Sequence, residues 1–130
     1  MSMKKSLIIL VAIIVAVTAL SVVQSNGSAM LIDMSNTTIS FSGIDDFNHE
    51  VAYADIESVV LDDITDWSSF GGHEFGHFRV GHMGDYVLFV TTQCNNAVIL
   101  QLKNQTLMIF NYNNTHDTEA IYNMLLQNLQ

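Results

Sequence analysis

Residues 71–84 read GGHEFGHFRVGHMG, and whether this stretch coils or extends decides between two different proteins. Within it, His73-Glu74-Phe75-Gly76-His77 matches the pattern H-E-x-x-H. On a helix, that spacing stacks two histidines on one face to bind zinc, and the glutamate acts as general base on a metal-bound water. His82 is the candidate third ligand. The glycines argue for the other backbone. Gly71, Gly72, Gly76, Gly81 and Gly84 all fall in the stretch, and each costs a helix about 1 kcal/mol relative to alanine. In an extended chain His73 and His77 lie about 13 Å apart, too far for one ion to bridge. The longer pattern H-E-x-x-H-x-x-G-x-x-H fails as well, because Gly81 falls one place late and His82 one place early. The expectation is therefore a glycine- and histidine-rich loop feeding a strand over residues 75–80, with no catalytic residue, no metal and no cofactor. The alternative is a small zinc hydrolase built on His73, Glu74, His77 and His82.

Working outward, short strands follow one another. Residues 85–92, DYVLFVTT, are aromatic and β-branched almost throughout and give the strongest strand signal in the chain. Residues 30–34, 37–42, the alternation around Val51 and Tyr53, residues 56–61, 97–102 and 106–112 read the same way. Asn95-Asn96 and Lys103-Asn104-Gln105 supply turns. The chain has no proline, so Gly, Asn and Asp must make every reversal. The period changes at the end. Asn114 or Thr115 can cap a helix whose first turn holds Asp117 and Glu119, and Ile121, Leu125 and Leu129 recur every four residues. The fold class expected is mainly β with one C-terminal α-helix over residues 115–129, arranged as a barrel or sandwich of short strands.

Residues 7–23, LIILVAIIVAVTALSVV, carry no charge. At the helical rise they span about 25 Å, near the lower limit for crossing a bilayer core. Lys4 and Lys5 precede them and no base follows until Arg79, which places the N-terminus in the cytoplasm and the rest outside. The run exceeds the roughly 7–15 residues of a signal peptide's apolar region. That favours a retained anchor over residues 1–24, a polar linker over 25–29, and one folded domain over 30–130. Cleavage near Ser21 or Ala29, giving a secreted domain, is the alternative.

Of the 130 residues only four are Lys or Arg, and all 13 acids follow the apolar run. The part beyond it thus sets 13 acids against Arg79 and Lys103. Such a body is repelled by phosphate backbones and anionic headgroups, so neither nucleic acid nor anionic lipid is an expected partner. Cys94 is the single cysteine, which excludes an intrachain disulfide, and its neighbours Gln93, Asn95 and Asn96 offer no activating base. Asp62, Asp63 and Asp66 lack the spacing of a calcium loop and read as a solvated turn. Trp67 and Phe70 beside them are either a hydrophobic lid or an exposed recognition tip, and they are the candidate binding residues. Asn26, Asn36, Asn104 and Asn113 satisfy N-x-[ST].

From Ile39 onward the chain resembles the bacterial pleckstrin-homology-like (PH-like) domain family, in the branch with short N-terminal membrane segments. The resemblance lies in IDDFNHEVAYADI over residues 44–56, with Tyr53-Ala54-Asp55-Ile56 at the place of a Y-x-D-I element. It continues in the succession Gly72, Gly76-His77-Phe78, Gly84 and Tyr86-Val87, and in the closing apolar strands and helix near Tyr122. It implies a bent, partly open barrel of about seven strands capped by one helix, with no enzyme activity. The phosphoinositide site of the eukaryotic relatives needs clustered bases on the early loops, where this chain has Asp45, Asp46 and Asp62. The function expected is a membrane-tethered extracytoplasmic module that binds a protein or another copy of itself.

Overall fold

A computed structural model describes residues 30–130; the expected membrane segment and linker lie outside the described residues. Among the described residues, no helix is long and apolar enough to cross a membrane. The architecture is mainly β, with two sheets and one C-terminal helix. The chain divides into two compact units, one holding residues 30–54 with 124–130 and the other Asp55–Asn123.

The first unit carries an antiparallel meander of β1 (Leu31–Met34), β2 (Thr38–Ser42) and β3 (Asn48–Ala52). The Ser35 hydroxyl turns β1 into β2 by accepting from the amides of Thr37 (3.2 Å) and Thr38 (2.9 Å), a side chain standing in for a turn carbonyl. Ile39, Phe41 and Val51 are buried at alternate positions, as the period of a strand requires. Tyr53, expected to continue β3, instead opens a 3₁₀ turn, Tyr53–Asp55. Its hydroxyl donates to the Ser35 carbonyl at 2.8 Å, and burial pushes the phenol pKa up.

The second unit holds β4 (Ile56–Asp63), a 3₁₀ turn (Trp67–Phe70), β5 (His73–Phe75), β6 (Phe78–His82), β7 (Tyr86–Thr91), β8 (Asn96–Leu102) and β9 (Leu107–Phe110), and then α1 (Thr115–Asn128) as far as Asn123, the rest of the helix belonging to the first unit. The Asn114 side chain caps α1 by accepting from the Asp117 amide at 2.9 Å. Ile121 and Leu125 of the expected apolar stripe are buried.

The six strands are ordered β4-β8-β9-β7-β6-β5. Strand β9 therefore sits between β7 and β8, parallel to the first and antiparallel to the second. This insertion leaves a gap in the ladder. Strand β9 ends at Phe110, opposite Phe89 and Val98, while β7 continues to Thr91 and β8 has already begun at Asn96. The carboxamide of Asn111, fully buried, fills the gap as a peptide group would. Its oxygen accepts from the Thr91 amide at 2.7 Å, and its nitrogen donates to the carbonyls of Thr91 (3.1 Å) and Asn96 (3.2 Å). Buried backbone groups must be paired somewhere, and here one side chain pairs three.

Of the fold expected, the mainly β class with one C-terminal helix is seen, and no closed barrel forms among the described residues. Nine strands form two sheets among the described residues, and the larger sheet keeps two open edges, β4 and β5. The single strand expected over residues 75–80 is corrected to a hairpin. Phe75 pairs with Phe78 across Gly76-His77, and Gly76 takes φ +63°, the glycine-first form of a two-residue hairpin turn. The turn expected at Asn95-Asn96 falls earlier, at Thr92-Gln93, and Asn96 opens β8.

Candidate functional site

The connector from Ile64 to Gly72 crosses one face of the six-stranded sheet. Leu88, Val90, Ala97 and Ile109 are buried there together with Trp67, and Ile64, Phe70, Tyr86, Ile99 and Leu107 pack around them. The Trp67 indole donates to the Cys94 carbonyl at 2.9 Å. Phe70 meets Trp67 at 5.3 Å between ring centroids and Tyr86 edge-on at 6.4 Å, spacings at which aromatic pairs attract. The Tyr86 hydroxyl donates to the Phe70 carbonyl. Of the two residues read as either a lid or a recognition tip, Trp67 is therefore buried and Phe70 half-buried, both as parts of a lid over the sheet.

Beside the lid lies a cleft of about 340 Å³, lined by Thr65, Asp66, Trp67 and Ser68 of the connector, by Glu74, Gly76, Phe78 and Arg79 of the β5–β6 hairpin, and by Thr92. The volume is near the lower end of small-molecule sites. Its charged groups already have partners. Arg79 forms an ion pair with Glu74, opposite it in the hairpin register, and its other terminal nitrogen donates to the Gly71 carbonyl at 2.8 Å. Asp66 caps the 3₁₀ turn by accepting from the Ser68 amide at 3.0 Å. The hydroxyl and amide of Ser68 hold the Asp66 carboxyl below the usual carboxylate range, with a smaller contribution from Arg79. Two carboxylates around one guanidinium leave the cleft with a net negative charge, which suits a polar or cationic group and repels a phosphate.

The H-E-x-x-H residues do not share a helix turn. His73 lies on β5 opposite Val80, Glu74 pairs with Arg79, and His77 occupies the hairpin turn, where its carbonyl accepts from the Thr92 amide (2.8 Å) and hydroxyl (3.0 Å). His82 ends β6, opposite Val87. Among the described residues, no group of three or more His, Cys, Asp or Glu is placed to hold a metal ion. Cys94 is buried, its sulfur 3.0 Å from the Asn96 carboxamide oxygen and 3.4 Å from the Thr118 hydroxyl.

Two features of this region escaped sequence reasoning. The Glu74–Arg79 pair was accessible, because a turn at Gly76-His77 sets residues 74 and 79 opposite each other. The role of Asn111 had no local signal, since it depends on β9 entering between β7 and β8. Compared with protein-family profiles, curated proteins and solved structures, the chain gives no match.

Proposed function

We propose that the chain is a non-enzymatic interaction module, tethered to the membrane through residues 7–23 with its folded part on the extracytoplasmic side, that binds a protein partner or another copy of itself. The observation that carries the reading is the pair of open edges on the six-stranded sheet. An open edge offers a row of backbone donors and acceptors to an added strand. The connector around Trp67 and Phe70 adds a second surface, since it walls a polar cleft whose charges are engaged with one another. Membership of the PH-like family is part of the proposal. The β-rich run closed by one C-terminal helix supports it, and the entry of β9 between β7 and β8 departs from a barrel of consecutive antiparallel strands.

Photo-reactive residues at exposed Ser69 on the connector and at exposed Val60 on β4 test the reading in the full chain in its own membranes. A discrete adduct at either position supports it. No adduct, together with a monomer by sedimentation, refutes it. Stoichiometric zinc in the purified chain, with hydrolysis abolished by Glu74→Gln, would replace it with the hydrolase.

A further inference from the structure

We propose that the outer edge of β4 docks an extended cationic peptide segment of a partner protein, added as a seventh strand to the six-stranded sheet. This inference rests on the reading of the chain as an interaction module and names the partner's chemistry.

The backbone comes first. Strand β4 pairs with β8 along one side and ends the sheet on the other. Its register slips at Glu57 and is regular from Ser58 to Asp63, a length of about 20 Å. The Ile64 amide donates to the Asn95 carbonyl at 2.8 Å. Antiparallel ladders alternate, so Ser58, Val60 and Asp62 share that inward orientation, and the amides and carbonyls of Val59 and Leu61 and the carbonyl of Asp63 point away from β8, while the Asp63 amide donates to the Asp62 carboxylate at 3.0 Å. Among the described residues, no strand lies beyond them.

The side chains then select the occupant. Asp55, Glu57, Asp62 and Asp63 line the edge and no base lies within β4. Between them Val60 is 49% exposed at mid-strand, beside Ile99 of β8. A second copy pairing antiparallel about Val60 would set Glu57 against Asp63, and a shift by two residues sets Asp55 against Asp63. Like charges directly opposed destabilise a strand pair. A strand with Lys or Arg opposite these acids and an apolar residue opposite Val60 meets attraction at both ends and apolar contact in the middle. Acids on an edge also deter aggregation, and an edge with that role alone would bind no added strand.

The test is an anisotropy titration of the full chain, in non-ionic detergent, with a labelled seven-residue peptide, Lys-Lys-Thr-Val-Thr-Thr-Lys, which sets lysines opposite Asp63, Asp62 and Glu57 and valine opposite Val60. The same peptide with glutamate in place of lysine is the control. The proposal expects saturable binding of the lysine peptide and none of the glutamate peptide. It also expects at least tenfold weakening by two variants. Glu57→Lys with Asp62→Lys reverses the charge on exposed side chains. Leu61→Pro deletes an outward amide while sparing the bonds to β8. Circular dichroism like that of the parent shows that each variant is folded. Binding unchanged by Leu61→Pro would show charge attraction without strand addition and overturn the proposal, as would absence of binding or a dimer dissolved by Val60→Lys. A cross-link from Ser69 with no peptide binding at β4 would sink this inference and leave the broader reading standing.

Discussion

Replacing Asn111 by leucine tests the device that lets β9 enter between β7 and β8. Leucine nearly matches asparagine in size but makes no hydrogen bond. The Thr91 amide loses its partner, as do the carbonyls of Thr91 and Asn96 to the extent that they rely on the side chain. Both residues are buried, so water cannot readily substitute. A buried polar group left unpaired costs about 1–3 kcal/mol. Three such groups at the low end of that range give about 3–5 kcal/mol, and the added apolar surface of leucine offsets about 1 kcal/mol. A net loss of about 3 kcal/mol is a large share of the roughly 5–15 kcal/mol that holds a domain folded. For about 100 residues it lowers Tm by about 12–24 °C. Urea unfolding followed by fluorescence of Trp67, the single tryptophan, measures it. Asn111→Asp adds a second, signed result. Its carboxylate would face the two carbonyls in a buried site, which raises its folded pKa above the unfolded value of about 3.9. The folded state then binds more protons, so this variant is most stable in acid and loses stability as pH rises toward the folded pKa. A loss below 1 kcal/mol for Asn111→Leu, or a pH-independent Asn111→Asp, would refute the bridging role.

Further outcomes follow from local geometry. Gly72→Ala should destabilise by more than Gly76→Ala in the same urea assay. Both glycines have positive φ, +84° and +63°, but a Cβ at Gly72 would meet Leu88 Cδ2 at 3.1 Å and the Val80 carbonyl at 3.3 Å, whereas Gly76 faces open space. The backbone conformation alone costs about 1–2 kcal/mol, and crowding at Gly72 adds to it. The Cys94 thiol should resist a disulfide reagent in the native chain and react fully in denaturant, because it is 1% exposed; rapid native labelling would contradict the packing around Trp67. Asp66 titrates below its ordinary value because Ser68 binds its charged form. That stabilisation is present above pH 3.8 and is lost as pH falls through the lower folded pKa. In Ser68→Ala, carboxyl chemical shifts should show the midpoint moving up toward 3.8.

What the sequence revealed and what it hid divide along the range of the interactions. Strands such as DYVLFVTT and the amphipathic C-terminal helix were legible because their residue types and periods act within a few residues. The helix start fell where Asn114 and Asp117 predicted it, since a cap is a local bond. The strand expected over residues 75–80 failed because alternation continues across a two-residue turn, and glycine at 76 permits that turn as readily as a straight strand. The order of strands was not legible. Nothing local in LMIF at Leu107–Phe110 says that it will lie parallel to β7, and the buried Asn111 that makes this workable looks like any loop asparagine. Trp67 was ambiguous between tip and lid, and the choice depends on the Cys94 carbonyl, 27 residues away, being present to accept its N–H.

The reading of residues 71–84 as hairpin rather than helix is tested most directly by nuclear Overhauser contacts on the isotopically labelled chain. The account predicts cross-strand contacts joining His73 to Val80, Glu74 to Arg79 and Phe75 to Phe78, with strand-type Cα shifts broken at Gly76 and His77. Sequential amide contacts and helical shifts running unbroken from His73 to His77 would contradict it, and would put two histidines and a glutamate back on one helical face.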